Sequence, residues 1–374
     1  MTSAHRNNDG RIFYKECVSL ANAGYDVYLV AQGQSCERNG VHIVGVGENA
    51  KSRFGRMLKT TRKVYQRALE IDADIYHIHD PELLLYAKKL VLNGKHVIFD
   101  SHENYGAQIL HKNYIPKFLR GITSQLYKIF EFSVLKYIDA IIVPCSFNGA
   151  NIFEKIAKKT VYISNAPLLS QFYDKYQESE EPKESCVCYV GGLSHSRGIT
   201  HLVRAVHRAN AKLILAGKFS SRGYYKDIQN MPESKCIDYK GYVNPNEVVD
   251  IYKQSSIGVC TILNIGQYNT GDCFATKVYE YMSMGLPVIL TDKPYARKIL
   301  EEYNFGICVQ PDNIEEITSA IRYLLDNPDV AMQMGQNGRR AILEKFNWEI
   351  EEKKLIALYE GLRKEERKYQ KNTL

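Results

Sequence analysis

The sequence predicts an α/β protein made of two units, each containing a parallel sheet. Short apolar runs alternate with amphipathic segments along the chain, which is the pattern of parallel strands joined by helices. The chain has 374 residues, more than one hydrophobic core usually supports. The polar stretch 165–185, which contains two prolines, interrupts the alternation of strands and helices near the middle of the chain. We therefore expect it to link two domains.

The first half begins with a polar loop and then alternates strands and helices. The predicted strands are 25–31, 41–46, 74–79, 96–100, 140–144 and 160–164. The predicted helices are 11–23, 53–71, 81–93, 114–137 and 146–158. Only residues 1–4 precede the loop 5–10, too few for the apolar strand that should open such a half. We therefore expect that roughly one short strand is missing, through truncation or a misassigned start codon.

The second half repeats the alternation. The predicted strands are 187–190, 212–216, 237–240, 257–261, 288–290 and 306–309. From about residue 314 the chain reads as helical, with an amphipathic segment at 348–369. The predicted domains are 1–165 and 186–345, with the linker 166–185 between them and a C-terminal helix, 346–374, that packs back toward the first domain.

Composition points to a globular protein of a reducing compartment. Hydrophobic residues make up 45% and charged residues 24% of the chain, which argues against a largely disordered protein. No apolar run reaches the length of a membrane span, and the first ten residues lack a signal-peptide core. The nine cysteines include no CxxC pair, and Cys186 and Cys188 alternate as in a strand. We expect a cytoplasmic protein whose cysteines pack rather than cross-link.

The net charge of +7 is concentrated in two segments. Segment 51–67 contains seven basic residues and no acidic one, and segment 111–137 mixes basic with aromatic and aliphatic residues. Such segments suit helices that lie on an anionic membrane surface. A solvated helix face over an ordinary core is the alternative. Nucleic acid is a third possibility, but no recognised binding motif accompanies the charge.

The stretch 270–290 (TGDCFATKVYEYMSMGLPVIL) predicts a helix that leads into a buried strand. Gly271 and Asp272 are residues typical of a turn and an N-cap, so the amides of 273–276 are predicted to be free to bind phosphate. Lys277 and Glu280 are three residues apart and therefore share one face of the helix. The arrangement suits a nucleotide, with a cation for its diphosphate and a carboxylate for its ribose. A solvated ion pair on an ordinary helix is the alternative interpretation.

This segment resembles the donor-binding signature of GT-B glycosyltransferases of family 4, which are retaining enzymes that use nucleotide sugars. The matching residues are Phe274, Lys277, Glu280, Tyr281, Met282, Gly285, Leu286 and Pro287. The resemblance implies two Rossmann-like domains facing a central cleft. It also implies a pair of acidic residues eight positions apart, here Asp272 and Glu280. Asp272 departs from the glutamate that is usual in the family.

The resemblance extends to three places in the first half, at a glycine loop and at two strand ends. Gly10 and Arg11 match the first loop, where glycine allows the backbone to approach donor and acceptor. His79 ends one strand, and His102 and Glu103 follow the next, at the edge where open α/β sheets bind ligands. The family places a histidine at the position of His102 beside the transferred sugar.

In the second half, Tyr189 to Ile199 (YVGGLSHSRGI) reads as a strand, a glycine pair and a helix start. Gly191 and Gly192 allow close approach of the backbone, and Arg197 can reach the same diphosphate as Lys277. The family commonly has arginine at the position of Gly192 and lysine at that of Arg197. One of the two usual cations of this loop is therefore missing.

The resemblance assigns roles to these residues. The predicted catalytic residues are His102, Arg197 and Lys277. The predicted donor-binding residues are Gly10, Gly191, Gly192, Asp272, Cys273, Phe274, Ala275, Thr276 and Glu280. The predicted acceptor-side residues are Arg11, His79 and Glu103. No metal and no cofactor are expected, because neither HxH nor HEN has the spacing of a helical zinc site and the family generally acts without a metal.

The implied activity is transfer of a sugar, with retention, from a nucleotide sugar to a hydroxyl of a glycan or lipid-linked acceptor. We expect a role in bacterial surface polysaccharide synthesis, at the inner face of the plasma membrane, and no nucleic-acid partner. A nucleotide-sugar 2-epimerase of the same architecture is an alternative. A partner subunit of low activity is another, in view of the missing strand and the lost cation.

Overall fold

The structure is a computed structural model that describes residues 1–47, 55–101, 104–110, 112, 115–177, 185–265 and 269–372, without the side chains of 56 and 365–372. It divides into two compact units. Unit 1 comprises 1–165 and 350–374, and unit 2 comprises 166–349. Among the described residues, no helix combines the length and the apolar character that crossing a lipid bilayer requires.

Unit 1 contains two sheets in its described part. The strands are β1 (Val27–Ala31), β2 (Cys36–Arg38), β3 (Val41–Gly45), β4 (Ile75–Ile78), β5 (His96–Asp100), β6 (Ala140–Val143) and β7 (Thr160–Tyr162). The first sheet has the order β1-β3-β2, with β1 parallel and β2 antiparallel to β3. The second has the order β4-β5-β6-β7 and is parallel throughout. Both β4 and β6 are almost entirely apolar, as expected of strands covered on both faces.

Helices connect these strands. The α-helices of unit 1 are α1 (Val18–Asn22), α2 (Thr61–Ile71), α3 (Leu84–Leu92), α4 (Tyr105–Ile109) and α5 (Lys117–Leu135). One π-helical turn, Ile12–Cys17, leads into α1 and another, Arg56–Thr60, leads into α2. Residues of α2, α3 and α5 pack with β4, β5 and β6 in one apolar cluster. This core places the carboxyl ends of β4 and β5 next to the N-terminal loop.

Unit 2 has one parallel sheet among its described residues. The strands are β8 (Cys186–Val190), β9 (Lys212–Ala216), β10 (Ile237–Gly241), β11 (Ile257–Cys260), β12 (Val288–Thr291) and β13 (Gly306–Val309). Their order is β10-β9-β8-β11-β12-β13. The order reverses between β8 and β11, where doubly wound sheets bind ligands.

The helices of unit 2 lie on both sides of this sheet. They are α6 (Ile199–Arg208), α7 (Arg222–Gln229), α8 (Pro245–Gln254), α9 (Thr276–Ser283), α10 (Pro294–Tyr303), α11 (Ile314–Asp326) and α12 (Pro328–Glu344). Two separate apolar clusters cover the sheet, one including α8 and α9 and the other including α6 and α11. The last helix, α13 (Trp348–Asn372), begins in unit 2 and continues from Ile350 in unit 1.

The α/β class with parallel sheets is confirmed, and one predicted helix needs correction. The helix predicted at 146–158 is wrong: Asn148 and Gly149 have φ of 49° and 76°, which no helix accommodates, and turns follow. Strand β2 was not predicted. Phe172, in the stretch predicted as linker, is 3% exposed and packs in the core of unit 2.

Candidate active site

The loop after β8 is shaped by glycine. Gly191 has φ of 136°, and its amide donates to the carbonyl of Ala216 at 2.9 Å. A Cβ at Gly217 would lie 1.8 Å from the oxygen of Gly191. A Cβ at Gly191 would lie 3.3 Å from the Nζ of Lys277. The two backbones and the lysine head therefore meet in a space that side chains at these glycines would fill. By contrast, nothing lies within 4 Å of a Cβ at Gly192.

Lys277 points into this loop from the first turn of α9. Its side chain is 7% exposed, and its Nζ lies 4.9 Å from the centre of the Tyr189 ring. Burial acts to lower the pKa of Lys277, yet the neighbouring Tyr189, Cys260 and Glu280 raise it above its usual value. The ammonium therefore stays charged although it is buried.

Arg197 is a second cation close to Lys277. It lies in the single turn His195–Arg197, before Gly198, where a Cβ would come within 2.1 Å of the Thr261 carbonyl. Its charge acts to lower the pKa of Lys277 and also that of the Tyr189 hydroxyl. Two cations thus repel each other beside one glycine loop, an arrangement that an anion between them would relieve.

Helix α9 starts later than predicted. Its N-cap is Ala275, in extended conformation and without a side-chain cap, and its first residue is Thr276. The prediction that Gly271 and Asp272 cap this helix is wrong, because Asp272 and Cys273 form a bend and the buried ring of Phe274 packs in the core of unit 2 before the helix begins. The Phe274 amide donates to the hydroxyl of Tyr279 at 3.2 Å. The amides of the first turn that can serve an anion are those of Thr276 and Lys277.

Asp272 lies in the loop before α9, and this loop is fixed by a residue that the sequence did not single out. Lys293, before α10, donates from its Nζ to the carbonyls of Gly271 at 2.8 Å and Cys273 at 2.6 Å. These bonds hold both neighbours of Asp272 and satisfy two loop carbonyls.

Glu280 also has a partner that was not predicted. The hydroxyl of Tyr252, on α8, donates to Glu280 Oε2 at 2.6 Å. Tyr252 is fully buried, and burial followed by the nearby Glu280 charge raises the pKa of its hydroxyl well above the usual value. The tyrosine therefore stays protonated and fixes one oxygen of the carboxylate. No local motif signals this contact, because 28 residues separate the two positions.

In unit 1, Arg11 lies at the centre of a buried network. Its Nε is 3.0 Å from Asp100 Oδ2 and 2.8 Å from Glu16 Oε1, and its Nη1 and Nη2 donate to the Ile163 carbonyl at 3.2 Å each. It ties the N-terminal loop to the ends of β5 and β7. The neighbouring Gly10 borders free space, because a Cβ added there would have no atom within 4 Å.

His79 belongs to the same network. Its Nε2 lies 3.6 Å from Glu16 Oε2, its Nδ1 lies 3.8 Å from Asp100 Oδ2, and its ring stacks on that of His77 at 4.4 Å. His77 in turn shares a hydrogen bond of 3.0 Å with the hydroxyl of Tyr359, on α13. The structure thus brings Arg11 and His79 together below the surface of unit 1. His102 and Glu103 lie outside the described residues.

Four of these residues form a set that could hold a metal ion. Ligand atoms of Glu16, His77, His79 and Asp100 lie within 4.8 Å of one another. Arg11 already places a positive charge against both carboxylates. Burial, followed by the charge of Asp100, raises the pKa of Glu16 well above its usual value. The Arg11 guanidinium and the raised pKa of Glu16 both reduce the negative charge of this cluster. The expectation of a metal-free enzyme stays a prediction.

Two family models match the chain. The model "Glycosyl transferases group 1" matches residues 172–341, and "Glycosyltransferase Family 4" matches residues 10–166. Together the two matches span most of the chain. The chain therefore belongs to the GT-B glycosyltransferases of family 4, and the resemblance noted in its sequence is confirmed.

Several curated proteins are similar to this chain. An uncharacterized glycosyltransferase of Methanocaldococcus jannaschii is 25% identical over 181 residues, which are 47% of this chain and only 45% of that protein. An uncharacterized glycosyltransferase of Haemophilus influenzae is 23% identical over 86% of this chain and 87% of that protein. The capsular polysaccharide biosynthesis glycosyltransferase CapM of Staphylococcus aureus is 22% identical over 66% of this chain and 70% of CapM.

Solved structures show the same fold. A sucrose-phosphate synthase from Thermosynechococcus elongatus has a TM-score of 0.73 and 19% identity, covering 92% of this chain and 91% of that chain. HepE of Anabaena, solved in complex with UDP, has a TM-score of 0.69 and 13% identity, covering 94% of this chain and 98% of that chain. At these identities the similarity establishes the GT-B fold.

Proposed function

We propose that the protein is a retaining glycosyltransferase that moves a sugar from a nucleotide sugar to a hydroxyl of a glycan or lipid-linked acceptor. The observation that carries the proposal is the pair of neighbouring cations, Lys277 and Arg197, at the loop after β8, where nothing lies within 4 Å of a Cβ at Gly192. A nucleoside diphosphate carries negative charge that both cations could bind. The UDP bound by HepE supports a ligand of this class.

The site is suited to stabilising a leaving diphosphate. As the bond between sugar and phosphate breaks, negative charge develops on the β-phosphate, and Lys277, Arg197 and the first amides of α9 are already in place to stabilise it. The N-terminus of the helix contributes about half a positive charge. Glu280, whose Oε2 accepts a hydrogen bond from Tyr252, would accept hydrogen bonds from ribose hydroxyls. We assign no covalent nucleophile and no general base.

The product of a donor assay tests this proposal. The protein is incubated with radiolabelled UDP-, GDP- and ADP-sugars and a lipid-linked acceptor, and the anomeric configuration of any product is read by NMR. Label in the lipid fraction with the configuration of the donor supports the proposal. Label in an epimerised nucleotide sugar would show that the protein is an epimerase instead. Nucleotide binding without turnover would show that it is a binding subunit.

An exposed surface of helix α5 supports a second proposal, that the protein binds a membrane. Helix α5 exposes an apolar stripe at positions three or four residues apart: Phe118 at 79%, Ile122 at 60%, Leu126 at 63% and Ile129 at 60%. Basic residues accompany the stripe along the helix and at its end; they are Lys117, Arg120, Lys128 and Lys136. An apolar stripe with basic neighbours suits insertion among anionic lipids.

We propose that this helix holds the enzyme on the inner face of the plasma membrane, where a lipid-linked acceptor for surface polysaccharide would lie. The similarity to CapM, a capsular polysaccharide enzyme, supports that role. The other basic segment, 51–67, is described from residue 55, where it exposes Met57 and Leu58 beside its cations. Residues 51–54 lie outside the described residues.

A further inference from the structure

Lys293 fixes two peptide groups of the loop before α9. Its ammonium donates to the carbonyls of Gly271 and Cys273 at 2.8 and 2.6 Å. The peptide groups of the described residues are trans, and in a planar trans peptide the N–H points opposite to the carbonyl. The amides that follow these two carbonyls, those of Asp272 and Phe274, are therefore turned away from Lys293. One side chain thus sets the direction of two backbone amides in this loop.

The neighbours of Lys293 contact the same loop on either side of these bonds. Thr291 Oγ1 donates to the Ile262 carbonyl at 2.8 Å, and the ring of Tyr295 lies 5.0 Å from that of Phe274. Both neighbours are two positions from Lys293, whose backbone is extended. Side chains two positions apart in an extended segment point to the same side. Lys293 is therefore the middle member of a row of three side chains that contact this loop, and it is the charged one.

The proposed function gives this loop a ligand. In that proposal Glu280 binds the ribose, while Lys277 and the first amides of α9 bind the diphosphate. These positions follow one another toward the start of the helix in the order of the groups in a nucleotide sugar. The sugar beyond the β-phosphate would therefore lie beside the residues that precede the helix. Among them are Asp272 and Cys273, at the place where Lys293 holds the backbone.

We propose that Lys293 is a positioning residue for recognition of the donor sugar. It keeps the loop before α9 in the shape that binds the sugar part of the donor, and it acts through the loop without binding the nucleotide part. Lys277 and Arg197 serve the diphosphate independently of it. This inference rests on the proposed function, because it assigns to the loop a part of the same donor.

A general effect of charge is the alternative, since any ammonium near the site attracts an anion. A free nucleoside diphosphate carries more negative charge than the nucleotide sugar made from it, because its terminal phosphate is not esterified to a sugar. Loss of a charge alone would therefore weaken binding of the diphosphate at least as much as binding of the nucleotide sugar. Loss of the loop shape would weaken binding of the nucleotide sugar selectively.

Substitutions in the full chain separate these possibilities. Lys293→Met keeps most of the side-chain length but removes the donors and the charge, whereas Lys293→Arg keeps both. Lys293→Gln keeps a donor on a shorter side chain and serves if the Met variant does not fold. Lys298→Met, at an exposed position of α10, is the matched control.

Two measurements are made on each variant at about pH 8. Calorimetry gives the dissociation constants for UDP, GDP and ADP and for UDP-glucose, UDP-N-acetylglucosamine, GDP-mannose and ADP-glucose. The comparison uses the nucleotide sugar that the unsubstituted protein binds most tightly and its own nucleoside diphosphate. Amide hydrogen exchange of Asp272 and Phe274 is followed without ligand, so this readout does not depend on activity.

Lys293→Met should weaken binding of the nucleotide sugar about fivefold or more, the scale of a lost hydrogen bond, and change binding of the diphosphate by less than about twofold. Exchange of the Asp272 and Phe274 amides should become about fivefold faster or more. Lys293→Arg should restore most of both properties, Lys293→Gln should be intermediate, and Lys298→Met should change neither.

Equal weakening of both ligands, or no change in either, would overturn the role of Lys293 in sugar recognition and leave the proposed nucleotide site standing. Unchanged exchange of the two amides in Lys293→Met would overturn it as well. Failure of the unsubstituted protein to bind any of the probes is a different result. It would overturn the proposed function, and the inference on Lys293 with it.

Discussion

At the residue scale, we expect the proposed donor site to depend on one buried cation, Lys277. Lys277→Ala removes the charge closest to the glycine loop, and we expect the rate of transfer to fall at least tenfold, on the scale of losing one preorganised contact to the transition state. The measurement is kcat/KM with the donor identified in the panel. Lys226→Ala, on exposed α7 of the same unit, is the matched control and should retain full activity. Near-normal activity of Lys277→Ala would exclude this residue from the site.

Also at the residue scale, Tyr252 should act through Glu280. Tyr252→Phe keeps the buried ring but removes the hydroxyl that donates to the carboxylate at 2.6 Å. We expect KM for the donor to rise about three- to tenfold with kcat little changed, since the loss corresponds to one hydrogen bond that orients a binding group. Tyr323→Phe, at an exposed position of α11, should leave both constants unchanged. A fall in kcat alone would contradict a role in ribose binding.

At the element scale, the sequence predicts strands better than helix ends. Apolar runs such as 140–144 and 212–216 mark strands because parallel strands are buried on both faces. The start of α9 was missed because Gly271 and Asp272, which were predicted to cap it, belong to a loop that Lys293 holds by hydrogen bonds. Lys293 lies about 20 residues further along the chain. The prediction of a helix at 146–158 is wrong because it relied on the spacing of apolar residues and overlooked the Asn148-Gly149 pair, which is a turn signal.

The same limits apply to the candidate site. Lys277, Arg197 and the glycines could be assigned to one site because they stand in compact sequence motifs, and the structure brings the two cations close together beside the glycine loop. Their roles stay predictions. Tyr252 and the buried pairing of Arg11 with Asp100 could not, because each joins elements that are distant in sequence and is visible only once the fold brings them together. His102, assigned from its motif, lies outside the described residues, and its role stays a prediction.

Helix α5 carries a titrating carboxyl group whose effect on stability can be measured. Burial raises the pKa of Glu131 to about 7, with the hydroxyl of Tyr127 at 2.8 Å and Lys128 acting to lower it. The folded state therefore binds this proton more tightly than the unfolded state, whose glutamate titrates near 4.5. Stability from this group is complete below about pH 4.5 and is lost as the pH rises to about 7.

Glu131→Gln should remove the loss of stability that this carboxyl group causes as the pH rises. We expect the thermal midpoint of the variant, relative to the unsubstituted protein, to be higher at pH 8 than at pH 4.5, by several degrees. Glu154→Gln, at an exposed position of unit 1, serves as the control and should give a difference that does not change with pH. If the difference in thermal midpoint caused by Glu131→Gln is also independent of pH, the buried carboxyl group titrates normally.

At the scale of the whole molecule, the excess of positive charge and the apolar stripe of α5 should act together in membrane binding. Replacing Ile122 and Leu126 by Gln removes two exposed apolar side chains, each worth about 1.5–3 kcal/mol when fully buried, so binding to vesicles containing phosphatidylglycerol should weaken at least tenfold. Binding should also weaken as salt is raised, because the basic residues contribute through screened charge. Vesicle co-sedimentation measures both effects.

Leu92→Gln separates this surface from general hydrophobicity. Leu92 lies at the end of α3 in the same unit and is 71% exposed, so its replacement removes an exposed apolar side chain without touching the stripe. If the stripe of α5 is the docking surface, this control should bind anionic vesicles normally, and both variants should keep activity toward a soluble acceptor analogue. Equal vesicle binding by the α5 variant and the unsubstituted protein would show that the apolar stripe of α5 is not the docking surface.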